Sequence, residues 1–432
     1  MLRNQIFILA GLPILIFVYI PKPAIEKVQF LTYPFLAFVL SGIIFLLLNS
    51  KKNKIKLSSI IENKRIVFII SLLALNIFSL IISFIFNVNE IRQTSIVEIA
   101  KPVLFFIILL YGNIFACVDL CKCQQGLLLA NYLIIFGQGI FVIIQSISPE
   151  LISVFYSTDK LSALGGLRVT GTLANPNTFV WVVSFATISI YMLERNKYKK
   201  YLFLLFGSFL IFLSASRTGI ILYPVLLLIT NALEALLYQK KKKSISESQK
   251  IFLKFIVLLV LLAILLKVII DVIPQHSPYF ALLIESVQQQ EDVAEISSLE
   301  KRLNWWENIY RLYFKDLDVL PWIFGIGSRS ITRVVDNDYL YVFYRTGIFG
   351  LLIHFLTIFY ALKVFIKTSK SNIIGLLGIV YILYSLMFGM MFDHLGGWNS
   401  PIFLFLLLGV SSRTLQNKNK FKVSLLRETE YA

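Results

Sequence analysis

Asp336-Asn337-Asp338-Tyr339-Leu340 closes a long polar interruption, Pro274 to Asp338, and opens an apolar run that continues past Gly347 and Gly350. The interruption also carries Ser297-Ser298-Leu299-Glu300 and the turn-rich Pro321-Trp322-Ile323-Phe324-Gly325-Ile326-Gly327. Almost everything on either side is apolar segment or short connector, so the interruption divides one stack of membrane spans from a shorter second stack. A span needs about 20 apolar residues at helical rise. On that basis the first stack holds candidates at 4–20, 29–48, 66–86, 97–118, 126–147, 176–193, 201–215, 218–238 and 252–273, and the second holds 339–362, 372–391 and 399–412.

Composition agrees with that reading. The 432 residues are 57% hydrophobic and only 15% charged, too apolar for a soluble chain of this length. A net charge of +17 would suggest nucleic acid in a soluble protein, but here the basic residues stand in short runs between apolar segments. In that position they set topology and do not mark a nucleic-acid partner. Lys51-Lys52-Asn53-Lys54, Lys64-Arg65, Arg195 to Lys200, Lys240 to Lys243, Lys363 to Lys370 and Lys418 to Lys422 alternate with connectors that hold only Lys22 and Lys27, Arg92, Lys160 and Arg168, or Arg217. The expectation is therefore an all-α polytopic membrane protein of about twelve helices with both termini cytoplasmic. Its parts are a membrane domain at 1–273, an external loop at 274–338, a second membrane domain at 339–413 and a tail at 414–432. Arg3 and the apolar run Ile6 to Ile20 lack a small-x-small site before Pro21-Lys22-Pro23, which predicts an uncleaved first span.

Two external junctions are built alike. Arg168 precedes Gly171 and Asn175-Pro176-Asn177, where Asn175 suits a helix cap and Pro176 the first helical position. Helix starts attract anions, and arginine adds a bidentate fork for phosphate. Ser214-Ala215-Ser216-Arg217-Thr218-Gly219 turns between two spans with almost no loop. An arginine at a span end also serves as a snorkelling anchor, although these two oppose the topological bias.

In the interruption, Ser297 to Glu300 fits a capping box, and Leu299, Leu303, Trp306, Tyr310 and Tyr313 recur at helical spacing. This predicts an amphipathic helix with its aromatic face toward lipid or the bundle, and Arg302 beside that stripe near Trp305. Pro321 to Gly327 predicts a sharp turn. In Asp336-Asn337-Asp338 a helix cap needs only one of the three residues, leaving a carboxylate for other work. His276, His354 and His394 are scattered, and Cys117, Cys121 and Cys123 are not at metal-ligand spacing. No metal or cofactor is expected. There is no P-loop, dinucleotide fingerprint or nucleophile elbow.

In order and spacing, Arg168-Val169-Thr170-Gly171 with Asn175-Pro176-Asn177, Leu213 to Gly219, Arg302 with Trp305, Pro321 to Gly327, and Asp336 to Leu340 followed by Gly347 and Gly350 resemble the O-antigen ligase and polymerase family. The resemblance covers roughly residues 130 to 365. It implies a fold related to the C-type membrane glycosyltransferases. It also implies a metal-independent transfer, at the periplasmic face of the bacterial inner membrane, from an undecaprenyl-pyrophosphate-linked glycan donor to an acceptor. A chain-length regulator is the further partner it suggests. By the same resemblance Arg168, Arg217 and Arg302 lie near the donor pyrophosphate, with Asn175, Asn177, Trp305, Asn337 and Tyr339 around the substrates. Family ligases commonly carry His-Asn before an aromatic-Leu pair, where this chain has Asp336-Asn337. That departure favours a polymerase, with Asp336 first and Asp338 second as the group that handles the acceptor hydroxyl. The alternatives are a ligase that moves finished polysaccharide to lipid A core or protein, and a multi-span transporter or flippase.

Overall fold

A computed structural model describes residues 63–86, 93–118, 120–147, 169–171, 173, 176–214, 216–238, 303–304, 306–308, 310–311, 319–327, 337–390 and 400–430. Every regular element among them is an α-helix. In chain order these are α1 (Lys64–Phe86), α2 (Gln93–Val118), α3 (Leu120–Ile147), α4 (Pro176–Leu193), α5 (Lys197–Leu213), α6 (Arg217–Tyr238), α7 (Val319–Phe324), α8 (Asp338–Ser369), α9 (Ile373–Gly389) and α10 (Ser400–Glu430). The expected spans at 4–20, 29–48 and 252–273 lie outside the described residues. Five stretches, Lys64–Ile85, Ile99–Ala116, Leu120–Gln145, Pro176–Leu193 and Asp338–Ser369, are long and apolar enough to cross a membrane. Thr218–Glu234 and Ile373–Gly389 are shorter apolar helices. This is the build of an all-α membrane protein.

Local chemistry sets the helix starts. Asn63, Asn196, Asn337 and Asn372 each accept backbone N–H bonds at the start of α1, α5, α8 and α9, the caps that a short polar side chain provides. Pro176 takes the first position of α4, as expected. Elsewhere the boundaries move. α3 starts at Leu120 instead of 126, α8 runs to Ser369, and α10 continues through the expected tail to Glu430. Within the turn expected over Pro321 to Gly327, Pro321 to Phe324 belong to the short helix α7, in whose first turn the missing proline N–H costs nothing. The reversal comes at Gly325 and Gly327, both at positive φ.

Polar contacts join the helix ends in two sets. At one end Gln124 donates to Asn372 and Asn63 to the Ser412 carbonyl. At the other end Ser216 meets Asn177, Asn337 meets Met390, and Ser83 meets the Arg345 carbonyl. Between them lies a continuous apolar core. Trp181, Phe185, Tyr381, Tyr384 and Phe403 stack and edge-pack where α4, α9 and α10 meet.

Two glycine contacts bring backbones together. A Cβ at Gly112 would meet the Leu406 carbonyl oxygen at 2.5 Å, and one at Gly409 would meet that of Leu109 at 2.2 Å, so α2 and α10 cross at van der Waals contact. Within α8, Gly347 at φ 64° and ψ −166° breaks the helix in two. Carbonyls next to the break find other donors. That of Tyr344 accepts from Ile326 N–H at 2.7 Å, and that of Arg345 from Gly327 N–H at 3.2 Å and the Ser83 hydroxyl at 2.9 Å. Backbone off the helical path persists at membrane depth only when it is satisfied in this way.

Candidate functional site

The end of the bundle that carries Asn177, Ser216 and Asn337 is where the sequence motifs gather. Before α4, Gln145 at the end of α3 accepts from the N–H groups of Thr170 and Gly171, at 3.0 and 3.3 Å. Gly171 has φ 53°, and any Cβ there would strike Gln138 and Phe179. The strand of chain that follows Arg168 is thus strapped to α3. At the second junction Ser216 caps α6, its Oγ accepting from Gly219 N–H and its carbonyl from Ile220 N–H. The same hydroxyl donates to Asn177 Oδ1 at 2.8 Å. A Cβ at Gly219 would lie 2.0 Å from Val180, so the first turns of α4 and α6 are in close contact. The two helix starts that the sequence sets apart by a whole span pair are side by side, and Arg217 is the first residue of α6. Arg168, Asn175, Arg302, Trp305, Asp336 and the Arg217 side chain lie outside the described residues.

The third motif resolves which residue caps α8. Asn337 does, accepting from the N–H groups of Tyr339 and Leu340 at 3.0 Å each while its Nδ2 donates to the Met390 carbonyl at 3.2 Å. Asp338 is fully buried in the first turn, its carboxyl against Gly389. A carboxylate there complements the helix start. Tyr339 stacks on Phe355 and donates its hydroxyl to the Leu386 carbonyl, so both its ring and its hydroxyl serve packing. Asn337, Asp338 and Tyr339 are all docked on the outgoing end of α9.

Trp181 of α4 stacks on Tyr384 of α9, and Tyr384 also lies beside Tyr223 of α6. At 1.5 Å per residue, these contacts are within roughly 10 Å of the start of α4, the start of α6 and the end of α9. The Asn177–Ser216 pair and the Asn337–Met390 pair therefore sit at one level of the bundle. From the interruption, residues 303–304, 306–308 and 310–311 are helical, and Trp306 meets Tyr344 of α8. Trp306 packs with Trp322 against Ile326 and Tyr344, and the Tyr310 ring meets Trp322 edge-on. The aromatic stripe thus faces the bundle at these residues.

Sequence reasoning passes over a cavity of about 120 Å³ between α1, α2, α8 and α10. Lys101, Arg345, Tyr341, His354, Asn76 and Thr346 line it together with leucine and phenylalanine side chains. Lys101 is only 7% exposed, its Nζ 3.4 Å from the Tyr341 hydroxyl. The Arg345 guanidinium lies over the face of the same ring, 4.2 Å from its centroid. The signal is present in the chain, because an ionisable residue inside an apolar segment marks a site more often than an anchor. Along the sequence, however, Lys101 reads as an interruption of one span and Arg345 as part of another.

No family model matches the chain, and no curated protein is detectably similar to it.

Proposed function

We propose that the protein is a polysaccharide polymerase of twelve spans, related in fold to the C-type membrane glycosyltransferases. It joins undecaprenyl-pyrophosphate-linked oligosaccharides at the periplasmic face of the bacterial inner membrane, with both termini cytoplasmic. The observation that carries this reading is the Ser216–Asn177 hydrogen bond, which holds the starts of α4 and α6 together. Two helix starts side by side turn their positive dipole ends toward one anion. Arg217 begins one of those helices, and Arg168 precedes the loop that leads to the other.

In the proposed reaction the acceptor sugar hydroxyl attacks the donor anomeric carbon. The bond from that carbon to the pyrophosphate oxygen breaks, and lipid pyrophosphate leaves with the bonding pair. Guanidinium groups and helix starts stabilise the growing negative charge, a contribution of several kcal/mol in preorganised sites. Asp336 receives the hydroxyl proton. Asn337 supports that assignment, since it caps α8 and leaves the preceding carboxylate uncommitted to the cap.

The test uses purified protein in lipid with the lipid-linked repeat unit as sole substrate. A polymerase makes a ladder from it alone, and Arg217→Lys reduces the yield because a point charge cannot replace a fork. Lys241→Ala, in a basic connector, leaves it unchanged. A requirement for a separate acceptor would instead indicate a ligase. The broken helix at Gly347 beside a cationic cavity favours a second reading, a transporter of an anionic solute. Anion flux into proteoliposomes without any ladder would select it.

A further inference from the structure

We infer that α7 and the Gly325–Gly327 turn form a re-entrant insert, which dips from the Asn337 end back into the membrane and turns Val319, Leu320 and Ile323 to lipid acyl chains. The inference is independent of the polymerase reading, since it needs only that α1 and α8 cross a bilayer.

Composition comes first. Val319-Leu320-Pro321-Trp322-Ile323-Phe324 has no polar side chain, although it lies inside the polar interruption 274–338. A helix that is apolar all round suits a protein core or a lipid environment, and one of six residues has little stability of its own in water. Its two sides divide. Trp322 meets Phe343 and Tyr310 edge-on, and Phe324 meets Phe349, so these rings face α8 and the interruption. Val319, Leu320 and Ile323 are all exposed.

Depth follows from the contacts around the turn. Ser79 of α1 donates to the Thr346 carbonyl at 3.4 Å, and Ser83 to that of Arg345 at 2.9 Å. Thr346 is therefore level with Ser79, which at 1.5 Å per residue lies about 9 Å inside the Ile85 end of the apolar stretch Lys64–Ile85. The Ile323 backbone comes within 2.3 Å of where a Cβ at Gly347 would stand, and the Arg345 backbone within 2.3 Å of one at Gly325. The last turn of α7 thus stands beside Thr346 and Gly347, below the end of α1.

Irregular backbone at that depth must have its polar groups paired. Gly325 N–H donates to the Pro321 carbonyl at 2.8 Å, Ile326 N–H to that of Tyr344 and Gly327 N–H to that of Arg345. Three successive N–H groups of the turn are satisfied, two of them by carbonyls next to the Gly347 break. In water none of these bonds is required, because solvent serves each group almost as well.

The exposed face is continuous with surface that belongs to lipid. Ile348 and Leu352 of α8 are exposed just past the break, and the exposed Ile81 and Ile85 flank Ser83 along α1. Both helices carry spans, so these side chains face hydrocarbon. Ile323, against Gly347, extends that surface toward the Asn337 end. Lys315, Asp316, Asp318 and Arg329 bound the apolar run in the sequence, which limits the insert to one short dip.

The experiment uses the unmodified full-length protein in nanodiscs containing a phospholipid with a diazirine in mid-acyl chain. After photolysis, cleavage at Lys315 and Arg329 isolates α7 and its turn in one peptide, 316–329. At matched labelling of the whole protein, that peptide is expected to carry at least about tenfold more lipid adduct than adduct of a water-soluble diazirine, because a polar reagent is excluded from hydrocarbon. The reverse ratio would overturn the insert and leave α7 in water. Labelling by neither reagent would overturn the lipid contact in favour of cover by a second copy of the chain. Depth is read separately, with Cys117, Cys121 and Cys123 replaced and a nitroxide attached to Leu320→Cys, Leu352→Cys or Glu307→Cys. Leu352 is the lipid-facing reference in α8, and Glu307, exposed beside Arg311, is the polar one. The label at position 320 is expected to collide with dissolved oxygen in preference to a water-soluble nickel chelate, as at position 352. Nickel access at 320 equal to that at 307 would overturn the inference.

Discussion

The amide of Asn337 both receives and donates, capping α8 through Oδ1 and bonding Met390 through Nδ2. Asn337→Ala should lower stability in detergent by about 1 kcal/mol or more, since it removes a cap and leaves a carbonyl unmatched. Asn337→Asp keeps the cap but turns a carboxylate oxygen to the Met390 carbonyl, and should recover only part of that loss in a thermal melt. Because the cap is Asn337, a change at Asp336 leaves the capping side chain in place. Asp336→Asn is expected to melt like wild type yet form product at least about tenfold more slowly. Normal ladders from that variant would move the proton-accepting role elsewhere. A separate residue-scale effect concerns Glu194, between α4 and α5. Burial opposes its charge, but the Tyr132 hydroxyl and the N–H groups of Asn196 and Arg195 outweigh it and hold the carboxyl below its usual value. Stability from this group is fully present above the ordinary glutamate pKa and is lost as pH falls through the lower folded value. Glu194→Gln should flatten that part of the acid-unfolding curve and lower stability at neutral pH, where the wild-type carboxylate contributes in full.

At the scale of elements, the glycines decide how closely helices approach. Gly112→Ala and Gly409→Ala each push a methyl into a carbonyl oxygen of the facing helix, and each should cost on the order of 1–3 kcal/mol. Both clashes are relieved by the same separation of α2 from α10. The double variant should therefore lose clearly less than the sum of the two, a coupling that a double-mutant cycle on melting reads directly. Additive losses would mean the clashes relax independently. Gly347→Ala is harsher, because its φ of 64° disfavours any side chain and a Cβ would stand 2.3 Å from Ile323 backbone. It should disturb the Lys101–Tyr341–Arg345 group before it disturbs α4 and α6. A clear fall in melting temperature in detergent is the expected readout.

For the whole molecule, the pairing of helix ends and the alternation of basic connectors make one prediction. With Cys117, Cys121 and Cys123 replaced, a cysteine at Ser286 should react with an impermeant maleimide in intact spheroplasts, and one at Ser244 should not. The reverse pattern would turn the molecule over and take the Asn337 end away from the periplasm. Much of the architecture is legible along the chain. A run of about 20 apolar residues in lipid has to satisfy its backbone within itself, so 66–86, 97–118, 176–193, 218–238 and 372–391 coincide with helices to within a few residues. Helix starts at Pro176 and within Asp336-Asn337-Asp338 are legible for a similar reason, since capping is a local rule. What the sequence by itself determined is thus the helical class and the position of those five spans. Only the tertiary structure decided which of those ends touch. It joined Ser216 to Asn177, set Asn337 rather than either aspartate as the cap, and brought Lys101 against Tyr341 across 240 residues of chain. Lipid is as apolar as the helices, so hydrophobicity selects no partner among them. Partner choice rests on side-chain shape, close glycine contacts and buried hydrogen bonds, and none of these has a period that can be read along a chain.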